Sequence, residues 1–177
     1  MSPDFSKNHF ALFGLPAAFE IDAARLDATY RELQREVHPD RFAAAGDSEQ
    51  RLAAQWATRV NEAYRTLKSP LDRARYLLHL GGVDTDEESD TSMPVEFLME
   101  QMHWRERLES ARTTRDHAAL EALAARANAQ RHALIEALRR ELADPPQEQP
   151  ARLTVRKLRF VDKLSEEIDI ALGELDD

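Results

Sequence analysis

The feature that most constrains this chain is helical periodicity, because apolar residues recur every three or four positions through several long segments. The alternation with a period of two that is typical of strands does not occur in the sequence. Only 5 Gly and 8 Pro are present in 177 residues, which also favours helices. We therefore expect an all-α protein with long helices over 22–37, 47–68, 94–110, 116–142 and 151–175.

The first two long helices are separated by a loop, His38 to Gly46, that contains both Pro and Gly, which predicts an antiparallel helical hairpin. A short apolar helix around Phe10 is expected to close the open side of the hairpin, and Ser69-Pro70 is a typical start for a further short helix. The core stripes are predicted to consist of Leu26, Tyr30, Leu33 and Val37 in the first helix and of Leu52, Trp56, Val60, Ala63 and Leu67 in the second.

The C-terminal half contains three long amphipathic helices with short connections, for which a three-helix bundle is the natural arrangement. Pro145, Pro146 and Pro150 are expected to break the chain before the last helix. An acidic stretch over 83–93 has the composition of a linker. The predicted domains are therefore 1–76 and 94–177, with 77–93 as the connecting segment.

Composition excludes several classes of function. The formal net charge is −9 and the pI about 5.2, so the chain is a poor general binder of nucleic acid. It contains no Cys, which excludes disulfides, thiolate metal sites and a Cys nucleophile. No apolar run approaches the roughly 18 residues of a membrane span, and residues 1–10 do not resemble a signal peptide. We expect a cytoplasmic protein that binds neither nucleic acid nor membranes.

The most specific motif is the tripeptide His38-Pro39-Asp40, which directly follows a helix with a polar face. At about 100° per residue, Arg31, Arg35 and His38 fall opposite the apolar stripe, with Gln34 on the flank. Two guanidinium groups on one face can attract an acidic partner surface, and the carboxylate of Asp40 is placed to pair with an arginine across an interface. The alternative is a solvated helix face followed by an ordinary turn.

Residues 10–76 resemble a J-domain, in which the same tripeptide lies in the loop of a helical hairpin. The resemblance implies docking on a DnaK-class chaperone and stimulation of its ATPase through His38, Pro39 and Asp40, with Arg31 and Arg35 as the basic partner-facing residues. Asp27, Glu32 and Glu36 make this helix less basic than in many J-domains, which suggests a specialised partner.

The helix predicted over 94–110 has a second apolar face. Phe97 and Trp104 belong to the core stripe, whereas Met99 and Met102 point almost opposite, with Leu98 between the two faces. Glu106 lies on the side of the methionines, and Phe160 lies at the edge of its own helix's stripe. An exposed apolar patch edged by charge is a candidate protein-binding site, and methionine suits such surfaces. The alternative is a helix buried on two sides.

Three segments, 10–16, 97–102 and 155–164, are similar to the HscB family of J-proteins in iron–sulfur cluster assembly. The resemblance implies a specialised ATPase partner, HscA, and a scaffold partner, IscU. Leu98, Met99, Met102, Glu106 and Phe160 match the family's scaffold-binding positions, whereas His103 and Ser110 stand where relatives often carry acids.

Three other functions stay open. A generic J-protein would show no preference for IscU over an unrelated unfolded chain, and a purely structural scaffold would be indifferent to His38→Gln. An undetected enzyme is the third. The sequence contains no Gly-rich phosphate loop, and its six His residues have no metal-ligand spacing. We therefore expect no catalytic residues, no metal and no cofactor.

Overall fold

The computed structural model describes residues 4–42, 46–85 and 92–176, without the side chains of Pro39, Asp40 and Asp176. Every regular element in these ranges is helical, which confirms the all-α prediction. In chain order the elements are α1 (His9–Leu12), α2 (Ala23–Glu36), a 3-10 turn (Pro39–Phe42), α3 (Asp47–Lys68), α4 (Pro70–Leu80), α5 (Val95–Thr113), α6 (His117–Glu141) and α7 (Glu148–Asp176).

The chain divides into two compact units, Met1–Leu77 and Leu78–Asp177, with the boundary inside α4. The predicted domain bounds of 1–76 and 94–177 stay predictions, and most of the acidic stretch within 77–93 lies outside the described residues. No helix of the described ranges is long and apolar enough to cross a membrane.

The first unit is built on the hairpin of α2 and α3. Asp22 caps α2, since its Oδ1 accepts a hydrogen bond from the backbone N–H of Arg25 at 2.9 Å. Gly14 ends the α1 segment with a φ of +63°, a conformation that favours glycine. The core of this unit consists of Phe10, Phe13, Leu15, Leu26, Leu33, Val37, Trp56, Val60, Ala63 and Leu67.

The prediction that Leu52 belongs to the core stripe of α3 is wrong. Leu52 is 42% exposed, and Ala53 is buried instead. Both residues lie one turn before Trp56, at i−4 and i−3, and sequence spacing alone does not distinguish these two positions. The core follows the i−3 position.

The second unit contains α5, α6 and α7. Its core consists of Trp104, Leu108, Ala111, Leu120, Leu123, Ala127, Leu164, Ile168 and Ala171. The prediction that Pro150 breaks the chain before the last helix is wrong, because α7 begins at Glu148 and Pro150 lies in its first turn. A first-turn backbone N–H has no partner within the helix, so proline removes nothing there.

Candidate functional site

The His38-Pro39-Asp40 tripeptide follows directly after α2. His38 is exposed, and its backbone carbonyl accepts a hydrogen bond from the backbone N–H of Arg41 at 3.0 Å, which starts the 3-10 turn. The predicted pairing of the Asp40 carboxylate with an arginine concerns a side chain outside the described residues. The tripeptide therefore lies in a short turn at the end of a helix.

We define the basic face as Arg31, Arg35 and Arg41, all of which are exposed. Arg31 Nε donates to the carbonyl of Asp27 at 3.2 Å, and Arg41 Nη1 lies 3.5 Å from the carbonyl of Arg35. Sequence analysis missed Arg41, although its position directly after the tripeptide was a usable signal. These contacts place three cationic side chains on the α2 side of the turn.

Gln34 lies in a different environment from the basic face. Its Nε2 donates to Tyr30 Oη at 2.6 Å and to Asn61 Oδ1 at 3.3 Å, and Tyr30 Oη donates to Asn61 Oδ1 at 2.9 Å. The ring of Tyr30 stacks on that of Tyr64, with 3.8 Å between centroids. Gln34 therefore joins α2 to α3, and its predicted role in chaperone binding stays a prediction.

One turn before Tyr30, Asp27 also connects α2 to α3. Lys68 Nζ donates to Asp27 Oδ1 at 2.7 Å, and Tyr64 Oη donates to it at 3.0 Å. The hydrogen bond from Lys68, and then that from Tyr64, holds the pKa of the Asp27 carboxyl below its usual value. Asp27 is thus occupied in joining the helices, whereas Arg31, Arg35, Glu32 and Glu36 are exposed charged side chains of α2.

The second unit carries an exposed apolar ridge along α5. Val95, Met99 and Met102 are 64%, 65% and 62% exposed, and their spacing of four and three residues places them on one face of the helix. Exposure of both methionines agrees with the sequence analysis, whereas Val95 was missed although it lies one turn before Met99. A row of three large exposed apolar side chains is unusual for a surface helix.

Leu98 and Phe160 lie at the side of this ridge, and both are half-buried. Phe160 meets the core residue Phe97 edge to face, with 6.2 Å between ring centroids, and Lys157 Nζ lies 5.7 Å from the centroid of Phe97. The aromatic contact fixes the Phe160 ring against α5 while leaving part of it accessible. We define the methionine patch as Val95, Leu98, Met99, Met102 and Phe160.

Two ion pairs show how α5 and α7 are aligned beside the patch. Arg105 pairs with Glu167 at 3.0 Å and Arg112 pairs with Glu174 at 3.1 Å, each pair being 62 residues apart. The two helices therefore run parallel in a seven-residue register. Leu98 and Phe160 are separated by the same 62 residues, one heptad earlier. Two apolar side chains thus occupy the position at which the next two heptads carry ion pairs.

Glu106 is exposed, and its carboxylate lies 4.0 Å from Nδ1 of His103. This is a solvent-exposed pair one turn apart, which contributes little to stability. Ser110 is also exposed. Glu106 lies one turn after Met102 on the same face of α5, and His103 lies beside it. The predicted assignment of the patch to scaffold binding stays a prediction.

Residues 93–169 match the family described as the HSCB C-terminal oligomerisation domain. The co-chaperone protein HscB homolog of Burkholderia mallei strain SAVP1 is 51% identical over 169 residues, which cover 96% of each chain. The structure of chaperone HscB from Vibrio cholerae has a TM-score of 0.85 at 39% identity, covering 96% of this chain and 99% of that chain. The crystal structure of the human co-chaperone protein HscB has a TM-score of 0.89 at 30% identity, covering 96% and 84%.

Proposed function

This chain belongs to the HscB family of co-chaperones, and from this premise we propose that it has two binding activities. One stimulates ATP hydrolysis by the DnaK-class chaperone HscA, and the other delivers the iron–sulfur scaffold protein IscU to it. The protein is then a cytoplasmic adaptor in iron–sulfur cluster assembly and not an enzyme.

The chaperone contact rests on the tripeptide and the basic face. His38 is exposed directly after α2, beside the three exposed guanidinium groups of Arg31, Arg35 and Arg41. Guanidinium groups form strong bidentate hydrogen bonds with carboxylates, so this face suits an acidic surface on the chaperone. Gln34 supports the same contact indirectly, because its hydrogen bonds to Tyr30 and Asn61 hold α2 against α3.

The scaffold contact rests on the methionine patch, and the exposure of Met99 and Met102 is the observation that carries it. The helix already has a complete core face, so these side chains are not needed to fold the bundle. Flexible, polarizable methionines beside a fixed aromatic ring suit a protein interface. Holding the scaffold protein beside the ATPase makes their encounter intramolecular, which raises its effective concentration.

The first experiment is steady-state ATP hydrolysis by HscA with and without IscU and this protein. The wild type should stimulate the rate, IscU should increase the stimulation, and His38→Gln should abolish it. His132→Gln is the matched control, because His132 is exposed on α6 in the other unit. Far-UV circular dichroism should be the same for all three proteins. Stimulation that is indifferent to His38 would refute the co-chaperone mechanism.

The same assay distinguishes the proposed function from that of a generic J-protein. A generic J-protein predicts equal stimulation when IscU is replaced by an unrelated unfolded chain. The exposed, compact methionine patch favours recognition of one folded surface instead, because a fixed ring at Phe160 and a helical ridge provide a defined shape.

A further inference from the structure

The charges of α7 are divided between its two halves. Residues 151–163 contain five Lys or Arg and a single acidic residue, Asp162, whereas residues 164–177 contain six acidic residues and no Lys or Arg. The helix macrodipole, which acts mainly on the first and last turns, favours Glu148 in the first turn but not Glu174 in the last turn, and it does not account for the cluster of bases in between. The charge pattern of α7 is therefore not explained by the stability of the helix itself.

The acidic half has partners within the bundle. Glu167 and Glu174 form ion pairs with Arg105 and Arg112 of α5. The single acid among residues 151–163, Asp162, pairs with Arg131 of α6 at 2.8 Å. The acids of α7 thus help to fix its register against its neighbours.

Four of the five basic residues form one row along α7, and the fifth, Lys157, lies over the ring of Phe97. We define the α7 basic row as Arg152, Arg156, Arg159 and Lys163, whose spacing of four, three and four residues places them on one face. Like charges at this spacing repel each other and destabilise an isolated helix. Arg159 and Lys163 are exposed, and Lys163 has no ion-pair partner within the described residues.

The row borders the methionine patch. Phe160 lies four residues after Arg156 and three before Lys163, so it shares a helix face with both. The opposite border of the patch is acidic: Glu100 accepts a hydrogen bond from Gln130 of α6, and Glu96 lies one turn earlier on the same side of α5. The patch is thus bounded by carboxylates towards α6 and by cations on α7.

We propose that the α7 basic row is the second half of the scaffold-binding surface and binds carboxylates that flank the apolar surface of the partner protein. This inference rests on the proposed function of the methionine patch. An apolar patch with carboxylates on one side and cations on the other is complementary to a folded protein whose own apolar surface has the opposite charges on the matching sides. Such complementarity also fixes the orientation in which the partner binds. A nucleic acid or an anionic membrane would be repelled by the glutamates of α5.

The test is the affinity of purified IscU for the full-length chain, measured by isothermal titration calorimetry at low and at physiological salt. Arg159→Glu and Lys163→Glu should each raise Kd about tenfold at low salt, since each reverses a charge at the interface border. The difference from wild type should shrink as salt rises. Arg126→Glu is the control, because it makes the same change on an exposed residue of α6. Lys163→Gln should have a smaller effect in the same direction and guards against misfolding of the reversed variants.

Each outcome decides the inference. Affinities within twofold of wild type for both reversals would overturn it, and so would an equal loss for Arg126→Glu, which would report only net charge. If Met99→Ala with Met102→Ala still weakens binding in that case, the proposed function stands without the basic row. A wild type that does not bind IscU would overturn both. Tight binding of a single-stranded oligonucleotide that depends on Lys163 would overturn the inference about the basic row alone.

Discussion

Truncation of the two exposed methionines gives the sharpest quantitative prediction. Complete burial of a methionine side chain contributes about 1.5–3 kcal/mol. Because Met99 and Met102 are 65% and 62% exposed, roughly two thirds of that free energy is still available when a partner covers them. Met99→Ala with Met102→Ala should therefore cost about 2–4 kcal/mol of binding, which corresponds to a Kd about 30- to 700-fold higher.

The assay is isothermal titration calorimetry with IscU, together with thermal unfolding of each variant. The midpoint of unfolding should not fall, since both side chains lie outside the core and alanine is the better helix former. Ile170→Ala is the matched control, because Ile170 is 61% exposed on α7 but lies outside the methionine patch. ATPase stimulation measured without IscU should be unchanged. A Kd within twofold of wild type, or an equal loss for Ile170→Ala, would refute the assignment of the patch.

Three further predictions concern stability. Burial lowers the pKa of His9, and the nearby charge of Arg59 lowers it further, whereas Glu62 has a smaller opposing effect. The folded state therefore resists protonation of His9, so the free energy of unfolding should decline as pH falls below about 6.5. His9→Phe keeps a ring stacked on Tyr76 but cannot be protonated, so the variant should lose less stability than wild type between pH 7.5 and pH 5, as measured by urea unfolding at both pH values. Gly14→Ala should cost about 1–2 kcal/mol in urea unfolding, because φ is +63° and the new Cβ would lie 3.3 Å from Arg25 Nη2. Trp104→Ala should cost about 3–5 kcal/mol in the same measurement, as Trp104 is buried in the second unit's core.

The long helices were the part of the fold most accessible from sequence, because α2, α3, α5, α6 and α7 are each long enough to show an apolar period. Local capping was equally readable: Asp22 caps α2, and Ser69 Oγ accepts from the backbone N–H of Asp72 at 3.3 Å at the start of α4. The errors arose where two local positions are nearly equivalent. Leu52 and Ala53 both lie one turn from Trp56, and only the neighbouring helices determine which of the two is buried.

Sequence predicted on which helix face the candidate site residues lie, but not which distant residues they hydrogen-bond with. Helical spacing indicated that Met99 and Met102 point away from the core, and both are exposed. Spacing could not indicate that Gln34 hydrogen-bonds with Asn61, which lies 27 residues away. Gln101 is a similar case, because it is buried on the core side of α5 and donates to Gln130, 29 residues away. Such contacts depend on tertiary packing, which one helix's pattern does not encode.

The seven-residue register between α5 and α7 has an evolutionary consequence. Leu98→Arg with Phe160→Glu would extend the ion pairs of Arg105–Glu167 and Arg112–Glu174 by one heptad without requiring a change in backbone. Selection for partner recognition can therefore act on two side chains while the architecture is conserved. We therefore expect paralogues that share this fold but lack the proposed scaffold contact to differ at positions 98 and 160.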